Sequence, residues 1–309
     1  MKIAVTGGAG FIASHIVDAY VTSGHEVHII DDFSTGQRIN LNSSAQVHEL
    51  DVGDPKAAAL IADIRPDVLN HHAAQMDVRR SVADPAFDAQ VNIIGFVNLL
   101  EACKAAGVKK VIFSSSGGAI YGDRDPIPAN EEHPTLPLSP YGISKLSGEF
   151  YLAYYHLAFG VPYVALRYAN VYGPRQSSQG EAGVVAIFIS QLLAGKSPVI
   201  NGDGKQTRDY VFVGDVVRAN IAALDADYIG PVNIGTGMET DVVTICRMLR
   251  QGLGSKLEPI HGPAKLGEQR RSCLENSLAA KVLGWRPEVA LQAGLDKTIA
   301  YYCRQAGVS

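Results

Sequence analysis

Residues Val5-Thr6-Gly7-Gly8-Ala9-Gly10-Phe11-Ile12-Ala13-Ser14-His15 constrain the fold more than any other stretch of the chain. They follow a short apolar run, Ile3-Ala4-Val5, and open an amphipathic segment carrying Ile12, Ile16, Val17, Tyr20 and Val21. The pattern predicts strand, glycine turn, helix. Gly8 to Ala13 fits G-x-G-x-x-G/A, whose glycines let the backbone turn sharply and approach a pyrophosphate. The helix N-terminus adds unpaired N–H groups and the positive end of its dipole. The next apolar run, Val27-His28-Ile29-Ile30, ends in Asp31-Asp32. That is close to the ~20-residue spacing of a carboxylate that binds adenosine ribose hydroxyls. An acid there repels a 2′-phosphate, so the pattern favours NAD over NADP. An ordinary strand–helix turn with a solvated acidic pair explains each piece alone, but not all of them together.

A chain of 309 residues can bury one large core or two lobes. Its 47% hydrophobic and 19% charged residues read as a soluble globular protein. A net charge of −4 gives no electrostatic basis for binding nucleic acid or an anionic membrane. Any anionic ligand must then be met by local arginines and helix ends. Cys103, Cys246, Cys273 and Cys303 show neither a CxxC pair nor metal-ligand spacing. No metal site is expected, and reduced thiols fit a cytoplasmic protein. No apolar run approaches the ~20 residues of a membrane span, and Met1-Lys2 leads straight into the first strand without a secretory signal.

The first half alternates β-like runs with helical segments, which predicts a doubly wound parallel α/β sheet of Rossmann type. Candidate strands are 3–6, 27–30, 46–49, 68–71, 111–114 and 161–167, with helices near 11–22, 55–64, 86–107 and 140–159. Leu99, Leu100 and Cys103 face inward on the third helix. Ser139 is the expected N-cap of the fourth, with Pro140 at its first position. The segment 173–183 is polar and glycine-rich, and mobility without a ligand is expected of it. A helix over 184–193 follows, and 232–235 reads as a strand returning to the sheet. The expected division is a dinucleotide-binding domain of residues 1–171 plus about 206–238, and a smaller substrate lobe of 172–205 and 239–309. In such folds ligands lie beyond the carboxyl ends of the strands.

Of thirteen tyrosines, only Tyr141 has a lysine four residues on, in Tyr141-Gly142-Ile143-Ser144-Lys145. On a helix that spacing puts both side chains on one face. A neighbouring ammonium favours the phenolate, so the Tyr141 hydroxyl is expected below its ordinary value of about 10. A phenolate there can take a proton from a sugar hydroxyl while hydride leaves the same carbon. Alone, the pair reads equally as a surface lysine stem on a ring. Upstream, Val111-Ile112-Phe113 runs into Ser114-Ser115-Ser116-Gly117-Gly118. A serine at that strand end can hydrogen-bond the reacting oxygen, although serine and glycine also suit turns.

The glycine turn, the Ser-Ser-Ser strand end and the Tyr-x-x-x-Lys pair, in that order, resemble the extended short-chain dehydrogenase/reductases. Within them the chain is similar to the UDP-glucose 4-epimerase group, over nearly all 309 residues. His72-Ala73-Ala74-Gln75, Asn92, Leu166-Arg167-Tyr168-Ala169-Asn170-Val171-Tyr172-Gly173-Pro174, Arg208-Asp209-Tyr210-Val211 and Leu283-Gly284-Trp285 extend the likeness. The resemblance implies a catalytic Ser116, Tyr141 and Lys145, with Lys145 also holding nicotinamide ribose. It implies an NAD site lined by Gly7, Gly10, Phe11, Ile12, Asp31, Asp32, Ser34, Thr35, Gly36, Asp51, Val52, His72, Ala73, Ala74, Gln75, Asn92 and Tyr168. For the UDP-sugar it implies Ser116, Tyr141, Asn170, Val184, Val185, Val199, Arg208 and Arg271, and for the assembly a homodimer through the helices near 86–107 and 140–159.

Departures from the family pattern refine these expectations. Ala13 stands at the third glycine, a position that serves helix–strand packing. Gly117-Gly118 lengthens the turn after the serines, which favours Ser116 over Ser115 as the reactive serine. The family's diphosphate-binding arginine falls at Lys265, with Arg270 and Arg271 as alternatives. The position limiting space at the sugar 2-substituent falls near Ser272, whose small side chain leaves room for an N-acetyl group. Asp215 is expected as an N-cap. A salt bridge with Asp209 or another neighbour is the alternative use of Arg208. Relatives that dehydrate sugars place Asp-Glu where this chain has Gly117-Gly118, which counts against a dehydratase. A uronate epimerase or decarboxylase and a silent NAD-binding scaffold are the remaining alternatives.

Overall fold

Seven parallel strands form the spine of the computed structural model, which describes residues 1–123, 125–178, 183–264 and 269–308. They are β1 (Lys2–Thr6), β2 (Glu26–Asp31), β3 (Gln46–Glu49), β4 (Val68–His71), β5 (Lys110–Ser116), β6 (Tyr163–Tyr168) and β10 (Gly230–Ile234), in the order β3-β2-β1-β4-β5-β6-β10. The order reverses between β1 and β4, the switch point at which doubly wound sheets bind ligands. Central strands are buried on both faces; Ile3, Ala4, Val5, Ile29 and Ile30 expose no surface.

Helices cover both faces. On one, α1 (Phe11–Thr22), α9 (Val213–Asp225) and α11 (Ser277–Leu283) pack over Ile16, Tyr20, Val216 and Trp285. On the other, α2 (Pro55–Ile64), α5 (Phe96–Ala106) and α7 (Pro140–Phe159) pack over Phe96, Leu99, Leu100, Cys103 and Phe113. Short helices α3 (Val78–Ala83), α4 (Pro85–Ala89) and α6 (Gly117–Ile120) edge the carboxyl end of the sheet. Ser139 caps α7 as expected, accepting the Gly142 N–H at 3.2 Å, and Gly160 ends it at φ 71°.

One expected helix is not uniform. The stretch predicted over 86–107 is α4, then a π-helical turn at Gln90–Gly95, then α5. The turn carries Asn92, whose side chain bonds both main-chain groups of Gln75: Gln75 N–H donates to Oδ1 at 2.8 Å and Nδ2 donates to Gln75 O at 2.8 Å. Such π turns recur where a helix must aim a side chain.

Beside the spine lies a small sheet of short strands. Its centre is β9 (Thr207–Phe212), joined by β7 (Asn170–Tyr172), β11 (Glu239–Asp241) and β13 (Arg271–Ser272). A further pair, β8 (Val199–Asn201) with β12 (Ile260–Gly262), completes the strands. Helices α8 (Val184–Leu193), α10 (Val242–Gly252) and α12 (Leu291–Ala306) gather around Phe188, Ile189, Ile245, Leu249 and Leu295 as a separate core. Of the returning segment 206–238, β9 belongs to the small sheet, α9 packs on α1, and β10 closes the large sheet. Asp215 is not an N-cap. It lies within the first turn of α9, where its buried carboxylate accepts from Arg218 and from the Glu288 and Val289 N–H groups, tying down the segment after Trp285.

Candidate active site

The turn after β1 is built around close backbone approach. Gly7 has φ 70°, and a Cβ there would sit 2.7 Å from Ala73 N, so the loops after β1 and β4 meet only through glycine. Gly10 precedes α1 with no side chain capping it, which leaves the first-turn N–H groups of Phe11 and Ile12 directed out of the helix end. Asp31 Oδ2 accepts the Ala9 N–H at 2.9 Å and Oδ1 the Phe33 N–H at 2.8 Å. Asn40 and Gln37 both bond Ala9 O, so three groups from one loop fix the glycine turn. Burial pushes the Asp31 carboxyl up, against the pull of its two N–H partners. Gly36 leaves the space: a Cβ there would meet Asp31 Oδ1 at 2.6 Å. Asp32, Ser34 and Thr35 are exposed, with Asp32 accepting from Ser34 N and Oγ. Asp51 is exposed and Val52 buried at the end of β3.

At the switch point His72, Ala73 and Ala74 are half-buried. His72 Nε2 lies 3.1 Å from the Tyr168 hydroxyl, which also accepts from Asn220. The His72 Nδ1 is buried with no hydrogen-bond partner among the described residues. Burial, then the Lys145 charge, pull His72 down to about 3, so its ring is neutral.

On β5 the three serines divide their work. Ser114 O accepts from Lys145 Nζ at 2.8 Å. Ser115 donates to Glu149 at 2.5 Å, inside a buried network in which Arg167 also grips Glu149 and donates to the Tyr121 hydroxyl. Ser115 is therefore committed to the fold, and Ser116, half-buried at the strand end, is the serine left for a ligand. The first turn of α7 lies against the turn after Ser116, since a Cβ at Gly142 would stand 2.6 Å from Ala119 O. That brings Tyr141 to the same end of the sheet. Lys145 Nζ lies 5.8 Å from the Tyr141 ring centroid and 5.0 Å from that of Phe113.

Lys145 is only 4% exposed and, among the described residues, donates one hydrogen bond, to Ser114 O. Burial lowers it to about 8, with the nearby Asp88 carboxylate opposing the drop. The expected lowering of Tyr141 is not found in the chain by itself. Burial pushes its hydroxyl up, and Asp88 adds to the rise. A lowered phenol therefore requires positive charge that the folded chain alone does not supply. The unused Lys145 protons, the unpartnered His72 nitrogen, the uncapped helix end and the glycine contacts at the switch point together fit a dinucleotide.

The small sheet supplies the facing groups. In its register Arg208 pairs with Ser272 and with Thr240, and Tyr210 pairs with Asn170, so Arg208, Ser272, Tyr210 and Asn170 share one strand face. A Cβ at Gly118 would stand 3.7 Å from Ser272 Oγ and 3.9 Å from Asn170 Oδ1, so these groups converge on the turn after Ser116. At Gly117 a Cβ would lie 2.5 Å from the Leu274 side chain, which would have to shift to admit one. Asp209, on the opposite face, accepts from Thr236, Gly237 and Leu274. Arg208 donates to Thr207 O at 2.7 Å. Arg271 is held by Glu239 and Asp125, and Arg270 is doubly bonded to Asp203. Val185 is buried in the lobe core, Val184 half-buried at the start of α8, and Val199 exposed on β8. Lys265 and residues 179–182 of the glycine-rich segment lie outside the described residues.

Residues that the sequence pattern did not single out hold this geometry together. Asp88, with no exposed surface, accepts from Gln75, Asn92 and Ser144. Its signals were available: it stands four residues before Asn92, and Ser144 lies inside the Tyr-x-x-x-Lys motif. Among the described residues no cluster of three potential metal ligands occurs, and no helix is long and apolar enough to cross a membrane.

A doubly wound sheet with a glycine turn at its switch point, and serine, tyrosine and lysine at the ends of β5 and α7, defines a dinucleotide-binding protein of the extended short-chain dehydrogenase/reductase type. The chain belongs to the NAD dependent epimerase/dehydratase family, whose model matches residues 3–235. It is similar to the UDP-glucose 4-epimerase of Thermotoga maritima solved with UDP-glucose, at 45% identity, TM-score 0.97 and 99% coverage of both chains. The Thermus thermophilus UDP-glucose 4-epimerase complex with NAD matches at 40% identity and TM-score 0.92, over 98% of this chain and 99% of that one. A UDP-N-acetylglucosamine 4-epimerase from Methanobrevibacter ruminantium, in complex with UDP-N-acetylmuramic acid, matches at 36% identity and TM-score 0.94 over 98% of both chains.

Proposed function

We propose that this protein is a reversible UDP-hexose 4-epimerase that interconverts UDP-galactose and UDP-glucose in galactose metabolism. The observation that carries the reading is the meeting of Ser116, Tyr141 and Lys145 at one strand end, with glycines rather than acids at positions 117 and 118. A 4,6-dehydratase needs an acid and base there to eliminate water, and a side chain at position 117 would have to displace the Leu274 side chain.

NAD, held by the glycine turn, Asp31 and Lys145, supplies a reversible hydride acceptor for the sugar C4. Ser116 hydrogen-bonds the C4 oxygen and Tyr141 takes its proton, leaving a 4-keto sugar. Lys145 orients the nicotinamide ribose beside Tyr141. The keto sugar turns and offers its other face, and Tyr141 returns the proton as C4 is reduced with opposite stereochemistry. Asn170 and Arg208 bind the diphosphate, so the nucleotide stays fixed while the hexose rotates; a guanidinium suits phosphate oxygens through its forked donors.

The small residues at positions 118 and 272, where even a Cβ at Gly118 would stand 3.7 Å from Ser272 Oγ, support acceptance of N-acetylated hexoses. Failure on both UDP-N-acetylhexosamine epimers, beside brisk turnover of UDP-galactose, disposes of that extension. A homodimer is part of the proposal. Ile143, Phe150, Tyr154 and Leu157 form an exposed stripe at helical spacing on the outer face of α7, with Ile94 exposed on the π turn. A cytoplasmic location is part of the same proposal, and the four cysteines are free thiols.

The test is to incubate purified protein with UDP-galactose, without added NAD, and follow the sugar by NMR and mass spectrometry. UDP-glucose is expected, and its absence even after NAD is added transfers the reading to a uronate or another UDP-sugar.

A further inference from the structure

We propose that Asp88 is a positioning residue for this reaction, whose buried carboxylate fastens the Ser144–Lys145 turn of the catalytic helix to the Gln75–Asn92 cofactor loop and sets the charge felt by Lys145 and Tyr141. The inference rests on the epimerase reading above, because that reading gives Lys145 and Tyr141 their work.

Asp88 joins three elements at once. Oδ2 accepts the Ser144 hydroxyl of α7 at 2.6 Å. Oδ1 accepts Gln75 Nε2 at 3.0 Å and Asn92 Nδ2 at 3.0 Å. Asn92 in turn holds the Gln75 main chain through both its N–H and its carbonyl, so Asp88, Asn92 and Gln75 form a closed ring of hydrogen bonds. Gln75 also bonds Asp77 in both directions, which extends the ring along the loop after β4. The lysine that follows Ser144 is therefore tied, one residue away, to the loop that lines the dinucleotide side of the site.

Fastening alone does not call for a carboxylate. All three donors are neutral, Asp88 exposes no surface, and among the described residues no lysine or arginine forms an ion pair with it. Desolvating an anion costs more than desolvating an amide of the same shape. An asparagine could keep most of these contacts at lower cost, so the charge itself needs an explanation. Lys145 supplies it: among the described residues this buried ammonium hydrogen-bonds the Ser114 carbonyl, and Asp88 is the anion whose field reaches it.

The surrounding titratable groups leave Asp88 in control. His71 and His72, at the end of β4, are kept neutral by burial. Glu149, further along α7, is neutralised by Arg167 in a 2.6 Å ion pair. Tyr141, on the same helix, feels Asp88 as a charge opposing its ionisation. The Asp88 charge thus favours the protonated form of both Lys145 and Tyr141. Removing it moves both ionisations to lower pH.

The experiment compares the native chain with Asp88→Asn and Ser144→Ala, using two readouts. One is the pH dependence of kcat and KM on UDP-galactose. The other is the titration of the Lys145 ε-carbon by 13C NMR, assigned with Lys145→Arg. Asp88→Asn is expected to shift the rising limb of kcat and the Lys145 titration to lower pH together, by on the order of one unit. Ser144→Ala keeps the charge and loses the fastening. It should lower kcat about tenfold, the scale of one misplaced hydrogen bond, and leave both titrations in place. A uniform loss of kcat in Asp88→Asn with unmoved titrations makes Asp88 merely structural and overturns the proposal. Should Asp88→Asn fail to fold, wild-type kcat in Ser144→Ala overturns the fastening by itself. A native chain that epimerises no UDP-hexose instead sinks the functional reading, and the Lys145 titration still tests Asp88.

Discussion

Tyr141 and Lys145 stand on a twenty-residue helix with an N-cap and a left-handed glycine stop, whereas Arg208 and Ser272 stand on strands of six and two residues. The first pair is held by buried contacts to β5 and to Asp88, from elements that the large sheet fixes on both faces. The second is held by carboxylates reaching across a small sheet: Asp209 to Thr236, Gly237 and Leu274, and Glu239 to Arg271 and Thr207. The groups proposed for proton transfer sit on a long helix, and those proposed for the diphosphate and the sugar substituent sit where short strands set position. Rigid placement suits chemistry that tolerates little misalignment. Short strands suit a surface that sets which sugar enters.

The contrast predicts different kinetic signatures for the two regions. Tyr141→Phe removes the proposed proton acceptor from the rigid side. It should lower kcat by about 10³-fold or more with KM little changed, measured by steady-state kinetics on UDP-galactose. Arg208→Ala, on the small sheet, should do the reverse, raising KM by about tenfold to a hundredfold with a smaller change in kcat. Equal losses of kcat in both variants break the comparison. The two adjacent serines sharpen it. Ser116→Ala should lower kcat by about tenfold to a hundredfold with little change in denaturation midpoint. Ser115→Ala should cost about 1–3 kcal/mol of stability, read by urea unfolding, because it leaves a lone pair of buried Glu149 unmet.

How legible each region was follows from the same contrast. The strand 68–71 and the helices 11–22, 55–64, 140–159 and 184–193 are marked by apolar runs, caps and proline, and the structure places them, with the polar strand 46–49, at the expected bounds. The π turn was not legible, because one extra residue per turn leaves the apolar period almost intact while it re-aims Asn92. The small sheet was barely legible: a two-residue strand such as 271–272 has no period to read, and its partner is set by register with β9. The engagement of Arg271 by Glu239 and Asp125 is likewise a tertiary fact. The Tyr141–Lys145 spacing puts the ammonium 5.8 Å from the ring centroid, yet burial, with Asp88 adding to it, raises the phenol in the chain alone. Charge order is readable from sequence; desolvation is not.

The most direct test of the central claim follows the C4 hydrogen itself. The protein is incubated with UDP-galactose deuterated at C4, and the UDP-glucose formed is examined by NMR and mass spectrometry. Hydride removal and return at this site predict that deuterium stays at C4 with inverted configuration, and that Tyr141→Phe forms almost no product. Deuterium lost to solvent, or inversion at full rate without the Tyr141 hydroxyl, would contradict the account.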